Sequence, residues 1–117
     1  MYNLEFYETE GGKCPVSDFL DSLDGKMAAK MTGLLEVLEE KGTELRKPYS
    51  EAIVDGIFEL RCKQGSNITR ALYFFYSGGK IVVTNGFVKK TQRTPPKEIA
   101  LAKSRRADWI RRYAHTR

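Results

Sequence analysis

Three consecutive β-type segments, joined by short glycine-containing turns, most constrain how this chain can fold. Ile57–Lys63 alternates apolar and charged residues, which predicts a strand with one buried face and one polar face. Ile68–Tyr76 is apolar on both faces apart from Arg70, which is typical of the centre of a sheet. Lys80–Lys89, the third predicted strand, follows a Ser-Gly-Gly turn. Turns this short join antiparallel neighbours, so the sequence predicts a three-stranded antiparallel meander.

The residues before the meander predict one strand and two helices. Tyr2–Tyr7 alternates apolar and polar residues, as a half-buried strand does. Pro15 can open a short helix, and Asp24 can cap a longer one that ends at Gly42. The longer helix has an apolar stripe at the helical period, formed by Met27, Met31, Leu34, Leu35 and Leu38. Residues 43–56 show no period, so we predict a loop there, with or without a short helical turn.

A last helix is predicted after the meander. Thr94 is a candidate N-cap and Pro95 a candidate first helical residue. From Lys89 to the end, the chain has ten Lys or Arg residues against only Glu98 and Asp108. This asymmetry favours an anionic partner for the C-terminal third, the alternative being a solvated basic helix.

The composition indicates one globular domain spanning residues 1–117. Of these residues, 41% are hydrophobic and 30% charged, and no apolar run approaches the roughly 20 residues that cross a bilayer. The N-terminus lacks the pattern of a signal peptide, so we expect a cytoplasmic protein with no membrane partner. Cys14 and Cys62 have neither disulfide-framework nor zinc-site spacing, and we predict no metal and no cofactor.

The end of the third meander strand is strongly cationic. Lys89, Lys90 and Arg93 place three positive charges within five residues, together with the amide of Gln92 and several threonine hydroxyls. Cations neutralise phosphate oxygens and fixed donors orient them, so this stretch is suited to holding a phosphodiester.

The order of elements and three stretches resemble the RelE/ParE-like toxins of type II toxin–antitoxin systems, most of all the phage-derived HigB-type branch. The stretches are Phe58–Arg61, Thr69–Phe75 and Asn85–Pro95, the last followed by Glu98-Ile99 and Ala102. The resemblance covers essentially the whole chain. It implies an α+β fold with an N-terminal strand, a two-helix hairpin, a three-stranded antiparallel meander and a C-terminal basic helix.

The resemblance also implies a function. Toxins of this family are usually ribosome-dependent endoribonucleases that cut messenger RNA and are neutralised by an antitoxin. The expected partners are therefore the ribosome, messenger RNA and a HigA-type helix-turn-helix antitoxin, with operator DNA bound only through the antitoxin. Two alternatives stay open, a ParE-like inhibitor of DNA gyrase that cuts nothing and a bare nucleic-acid-binding module.

Metal-free RNA cleavage needs groups that move protons and stabilise the charged phosphorane. Arg61 and Arg70 project from neighbouring strands and are candidate phosphate clamps, since a guanidinium grips two oxygens at once. The alternatives are structural, with Arg61 paired to Glu59 on an adjacent strand and Arg70 covering the sheet edge. Lys89 and Lys90 are candidate acids or bases, and at most one of them is expected to face Arg61.

The remaining candidates are RNA contacts, namely Lys63, Phe87, Gln92, Arg93 and Thr94. Phe87 either stacks on a base or closes the core, and Thr94 either contacts RNA or caps the last helix. Some related toxins use histidine for proton transfer, but the only histidine here is His115, near the C-terminus. Proton transfer would then fall to lysine, to Glu59 or to the ribosome. An antitoxin is expected on the helical hairpin or on the basic last helix at Arg105 and Arg106.

Overall fold

The computed structural model describes residues 1–116 and the side chains of residues 1–114. In chain order the elements are β1 (Asn3–Phe6), α1 (Pro15–Ser22), α2 (Gly25–Lys41), a 3-10 turn (Gly42–Glu44), β2 (Ser50–Val54), β3 (Ile57–Gln64), β4 (Asn67–Tyr76), β5 (Lys80–Lys89) and α3 (Pro96–Thr116). This order confirms the predicted α+β class, with its N-terminal strand, helical hairpin, meander and C-terminal helix. The side chain of His115 lies outside the described residues.

The strands form one mixed sheet in the order β1-β5-β4-β3-β2. β3, β4 and β5 pair antiparallel as sequential neighbours, which confirms the meander. β1 lies parallel to β5 at one edge. β4 occupies the middle position and is buried from residue 68 to residue 74, as its two apolar faces predicted.

The predicted loop before β3 is wrong in part, because Ser50–Val54 forms the edge strand β2. β2 pairs antiparallel with β3, and the hydroxyl of its buried Ser50 shares a hydrogen bond with the hydroxyl of Tyr73. A short edge strand faces solvent along one side, so it does not need the long apolar alternation by which a strand is recognised. The strand forms here because β3 offers an unpaired row of backbone groups.

Helices cover both faces of the sheet. α1 and α2 pack on one face, where Met31 and Leu38 meet Leu60 and Tyr73. α3 packs on the other face, where Trp109 meets a group of buried strand residues that includes Ile57, Leu72, Phe74 and Val82. Four of the five predicted stripe residues of α2 are buried, and Leu34 packs partly buried against the same core.

A β-bulge in β5 prepares the position of the candidate site. Tyr73 pairs with Val83 whereas the preceding Leu72 pairs with Asn85, so β5 has one extra residue at Thr84. Past the bulge, Phe87 lies opposite Arg70 and joins the core on the α3 face. Bulges often re-aim side chains in this way beside functional sites.

Candidate functional site

The candidate site is organised by the carboxylate of Glu59, which is completely buried on β3. Its Oε1 accepts a hydrogen bond from Nε of Arg61 at 2.6 Å, and its Oε2 accepts one from the Thr94 hydroxyl at 2.7 Å. Nη1 of Arg70 lies 3.7 Å from Oε2, within ion-pair range. A buried charge needs partners of this kind, so Glu59 ties β3, β4 and the segment after β5 together.

Arg61 lies at the boundary between the buried network and solvent, with its side chain 20% exposed. Besides Glu59, its guanidinium donates to Oε1 of Gln92 at 3.0 Å and to the Gln92 backbone carbonyl. A guanidinium has five N–H donors, and these contacts use three of them. Arg61 therefore presents a fixed cation with unused donors to the surface. The predicted pairing with Glu59 is present as well, but both residues lie on β3.

Arg70 is completely buried, in contrast to Arg61. Its Nη1 donates to the carbonyl of Arg93 at 3.0 Å, and its guanidinium carbon lies 5.7 Å from the centre of the Phe87 ring. Its Nε and Nη2 have no hydrogen-bond partner among the described residues. Burial holds the pKa of Arg70 below its usual value, and the charge of Glu59 opposes this effect. The alternative that Arg70 covers the sheet edge is wrong, because β4 is the central strand.

The segment between β5 and α3 is fastened to the sheet by these side chains. Gln92 and Arg93 receive hydrogen bonds from the two arginines, and Thr94 donates one to Glu59. Thr94 is therefore a buried structural residue. Its hydroxyl bonds to Glu59 and does not cap the helix. α3 begins at Pro96, one residue later than predicted.

Four cations lie on or next to this fastened segment at the surface. Lys63, Lys89, Lys90 and Arg93 are exposed, and in the part of the chain that the structure describes their side chains form neither ion pairs nor hydrogen bonds. β5 ends at Lys89, and Lys90 lies in the bend that follows. A surface with this much unpaired positive charge attracts anions.

Phe87 belongs to the core. It is 7% exposed and packs in the cluster that joins the sheet to α3. Of the two predicted roles, the packing role is the one that this position supports, because a stacking platform must show a ring face to solvent.

A comparison with protein families places the chain in one of them. A family model described as "Phage derived protein Gp49-like (DUF891)" matches residues 18–107, which are 90 of the 117 residues. The chain belongs to this Gp49-like family. The family is a RelE/toxin-like family of toxin–antitoxin systems, which implies an antitoxin partner. No curated protein matches the chain. The matched range of this Gp49-like chain includes Glu59, both arginines and the segment after β5.

The basic helix of the Gp49-like chain uses several of its cations internally. Arg105 donates to the carbonyl of Thr84 at 2.8 Å, Arg106 to the carbonyl of Asp55, and Lys103 forms an ion pair with Asp55 at 2.7 Å. The charge asymmetry of the sequence therefore reflects in part how α3 docks on its own sheet. Lys97 on the first turn of α3 is exposed.

A cavity of about 540 Å³ lies beside Arg61, between α2 and the end of β3. Sequence reasoning missed this cavity. Its wall combines apolar residues from several separate segments with polar residues of the site, among them Leu34, Val37, Tyr49, Ile68, Arg61 and Gln92. No single stretch of sequence shows such a combination.

Among the described residues, no group of three or more His, Cys, Asp and Glu side chains is arranged to hold a metal ion. None of the described helices has the length and apolar character needed to cross a membrane.

Proposed function

We propose that this Gp49-like protein is the HigB-type toxin of a toxin–antitoxin pair, a metal-independent and ribosome-dependent endoribonuclease that cuts messenger RNA in the cytoplasm. The single observation that carries the proposal is Arg61, a partly exposed guanidinium fixed by Glu59 and Gln92 with donors left over. Residues 1–117 act as one toxin domain in this proposal.

The reaction begins with the 2′-oxygen of a ribose attacking the adjacent phosphorus. The 5′-oxygen of the next nucleotide leaves, so the products carry a 2′,3′-cyclic phosphate and a free 5′-hydroxyl. Negative charge grows on the non-bridging oxygens in the transition state. The unused N–H donors of Arg61 stabilise that charge without reorganising, because three other bonds already hold the guanidinium in place.

Proton transfer falls to the lysines at the end of β5. Lys89 or Lys90 takes the proton of the 2′-hydroxyl or returns one to the leaving oxygen. Glu59 is poorly placed for this task, because it is buried and both its oxygens accept hydrogen bonds. Lys63, Gln92 and Arg93 contact the RNA backbone, while Arg70 and Thr94 act through Glu59 and the segment they hold.

The partners follow from the same proposal. Ribosome-bound messenger RNA supplies the substrate, and a HigA-type helix-turn-helix antitoxin neutralises the toxin and holds operator DNA. The antitoxin contacts the helical hairpin or α3. Charge reversal at Arg105 and Arg106 would be a poor test of the α3 interface, because both residues bond to the protein's own backbone. Lys97 is the better position for that test.

The test is induced expression in a bacterial host, followed by mapping of messenger-RNA 5′ ends. Wild type is expected to create new ends inside translated regions and to arrest growth, whereas Arg61→Ala is expected to do neither. Arg111→Ala is the matched control, since Arg111 is an exposed arginine whose ion pair with Asp108 lies on the surface of α3.

Two outcomes contradict this proposal. New 5′ ends that persist in the Arg61→Ala strain would reject Arg61 as the phosphate-binding group. Growth arrest with intact messenger RNA and an induced DNA-damage response would reject the ribonuclease and favour the gyrase inhibitor.

A further inference from the structure

The cavity beside Arg61 has an apolar wall that is open to solvent. Tyr49 is 53% exposed and Val37 40% exposed, and Leu34 and Ile68 continue the wall inward. The ring of Tyr49 makes no aromatic or cation–π contact with the other described residues. A free aromatic face next to a recess of this size is typical of a binding site for a planar group.

The charges around the cavity all have one sign. Lys30, Arg61 and Lys63 line it, and no carboxylate of the described part of the chain does so. Nζ of Lys30 donates to the carbonyl of Lys63 at 3.2 Å, which places that ammonium group at the cavity edge. An occupant that matches this lining combines an apolar, flat body with a negatively charged chain.

Gly33 keeps part of the cavity open. It lines the cavity from within α2, and a Cβ atom built on it would meet nothing within 4 Å. Glycine inside a helix costs about 0.5–1 kcal/mol relative to alanine. A side chain at residue 33 would stabilise the helix, but it would also reduce the volume of the cavity.

We propose that this cavity binds an unpaired nucleobase of the RNA, one that lies next to the phosphate held by Arg61, with the Tyr49 ring as its stacking partner. The inference rests on the proposed ribonuclease function and assigns it a base-binding subsite. Arg61 and Gln92 line the cavity and also form the phosphate site, so one RNA strand can occupy both. A helix from a protein partner fits less well, because 11 residues line the cavity, whereas a stable protein interface takes about 20–30 residues on each side.

The test measures binding of the full-length protein to short single-stranded RNA by fluorescence anisotropy at one salt concentration. All riboses carry 2′-O-methyl groups, which remove the nucleophile and prevent cleavage. In a series of oligonucleotides, the base is deleted at one position at a time. We expect one position at which base deletion weakens binding by about tenfold, because stacking on an aromatic ring is sequence-tolerant but needs the base.

Three variants assign that loss to the cavity. Tyr49→Ala removes the ring and Gly33→Met fills the recess, so both are expected to bind intact and base-deleted RNA equally. Tyr49→Phe keeps the ring and is expected to behave as wild type. Gly33→Met also guards against misfolding, since replacing a helical glycine at an open position favours the helix.

The outcomes separate this inference from the proposed function. If no base deletion weakens binding, or if Gly33→Met leaves the effect intact, the base-binding inference is overturned. The phosphate site then stands, provided that Arg61→Ala weakens binding to every oligonucleotide alike. If Arg61→Ala leaves binding to every oligonucleotide unchanged, Arg61 is rejected as the phosphate-binding group as well. If wild type binds none of the oligonucleotides, the base-binding inference is overturned, and the mapping of messenger-RNA 5′ ends alone decides the proposed function. Loss of antitoxin binding in Gly33→Met with RNA binding unchanged would assign the cavity to a protein partner instead.

Discussion

At the scale of single residues, two arginines that face each other across β3 and β4 have different surroundings. Arg61 and Arg70 are register partners, and both approach the carboxylate of Glu59. Arg61 reaches solvent, whereas Arg70 is buried, with Glu59, the Arg93 carbonyl and the Phe87 ring near its guanidinium. Their substitutions should therefore have different consequences.

We predict that Arg70→Ala lowers the free energy of unfolding by about 3–5 kcal/mol, because it weakens the pairing of a buried carboxylate. Arg61→Ala should cost less stability, since Glu59 keeps Arg70 and the Thr94 hydroxyl, yet it should abolish cleavage. Urea unfolding curves measure the free energy of unfolding of both variants. The double variant Glu59→Met with Arg70→Met should recover part of the lost stability. Equal losses for the two single variants would contradict this assignment.

At the scale of elements, the helical hairpin approaches the sheet closely at one glycine. A Cβ built on Gly86 of β5 would lie 2.4 Å from the ring of Phe19 on α1. Such a distance is far inside van der Waals contact, so the two elements pack at this spacing only because residue 86 has no side chain. Gly33 on α2 is the opposite case, with open space around it.

We predict that Gly86→Ala destabilises the fold by about 1–3 kcal/mol through overpacking. Gly33→Ala, its matched control, should leave stability unchanged or raise it by up to about 1 kcal/mol. Thermal unfolding, monitored by circular dichroism, measures the stability of both variants. Combining Gly86→Ala with Phe19→Leu should restore most of the loss. If Gly86→Ala is as stable as wild type, α1 does not approach β5 as described.

At the scale of the whole molecule, α3 is joined to the N-terminal part of the chain by a polar network. The Tyr7 hydroxyl donates to Asp108 at 2.7 Å, and Arg112 pairs with the same carboxylate at 2.9 Å. Hydrogen bonds from Tyr7, Arg111 and Arg112 hold the pKa of Asp108 down to about 2. Trp109, the only tryptophan, packs beside this network against Phe74 and Tyr76.

This network predicts that the docking of α3 depends on acidity. Because the pKa of Asp108 falls from 3.8 to about 2 on folding, its contribution to stability is complete above pH 3.8 and is lost as the pH falls through about 2. Trp109 fluorescence, recorded while the pH is lowered, should report the loosening of α3.

Two variants serve as controls for that titration. Asp108→Asn should remove the acid transition and leave α3 less firmly docked at neutral pH. Glu5→Gln keeps an acceptor for the Trp109 ring nitrogen, which donates to Glu5 at 2.8 Å, and removes that carboxylate as a source of the signal. A transition that persists unchanged in Asp108→Asn would exclude Asp108 as its cause.

Most of the architecture could be predicted from local patterns in the sequence. Alternation in β3, the doubly apolar β4 and the stripe of α2 each express which side of one element is buried, so they can be seen in consecutive residues. The pairing of Arg61 with Glu59 was also considered, but between adjacent strands, whereas the two residues lie two apart on β3. The candidate role of the cations after β5 remains a prediction.

Only the tertiary structure decided what depends on residues far apart in sequence. β2 exists because β3 has an edge to pair. Phe87 is buried because α3 folds back over its face of the sheet, and the guanidinium of Arg70 is held by Glu59 and by the segment after β5. The contact between Thr94 and Glu59 spans 35 residues. From the sequence, the charge of the last helix suggested a binding surface. In the structure, Arg105 and Arg106 of this helix donate hydrogen bonds to the backbone carbonyls of Thr84 and Asp55. Burial and partner choice are properties of packed surfaces, which no local period encodes.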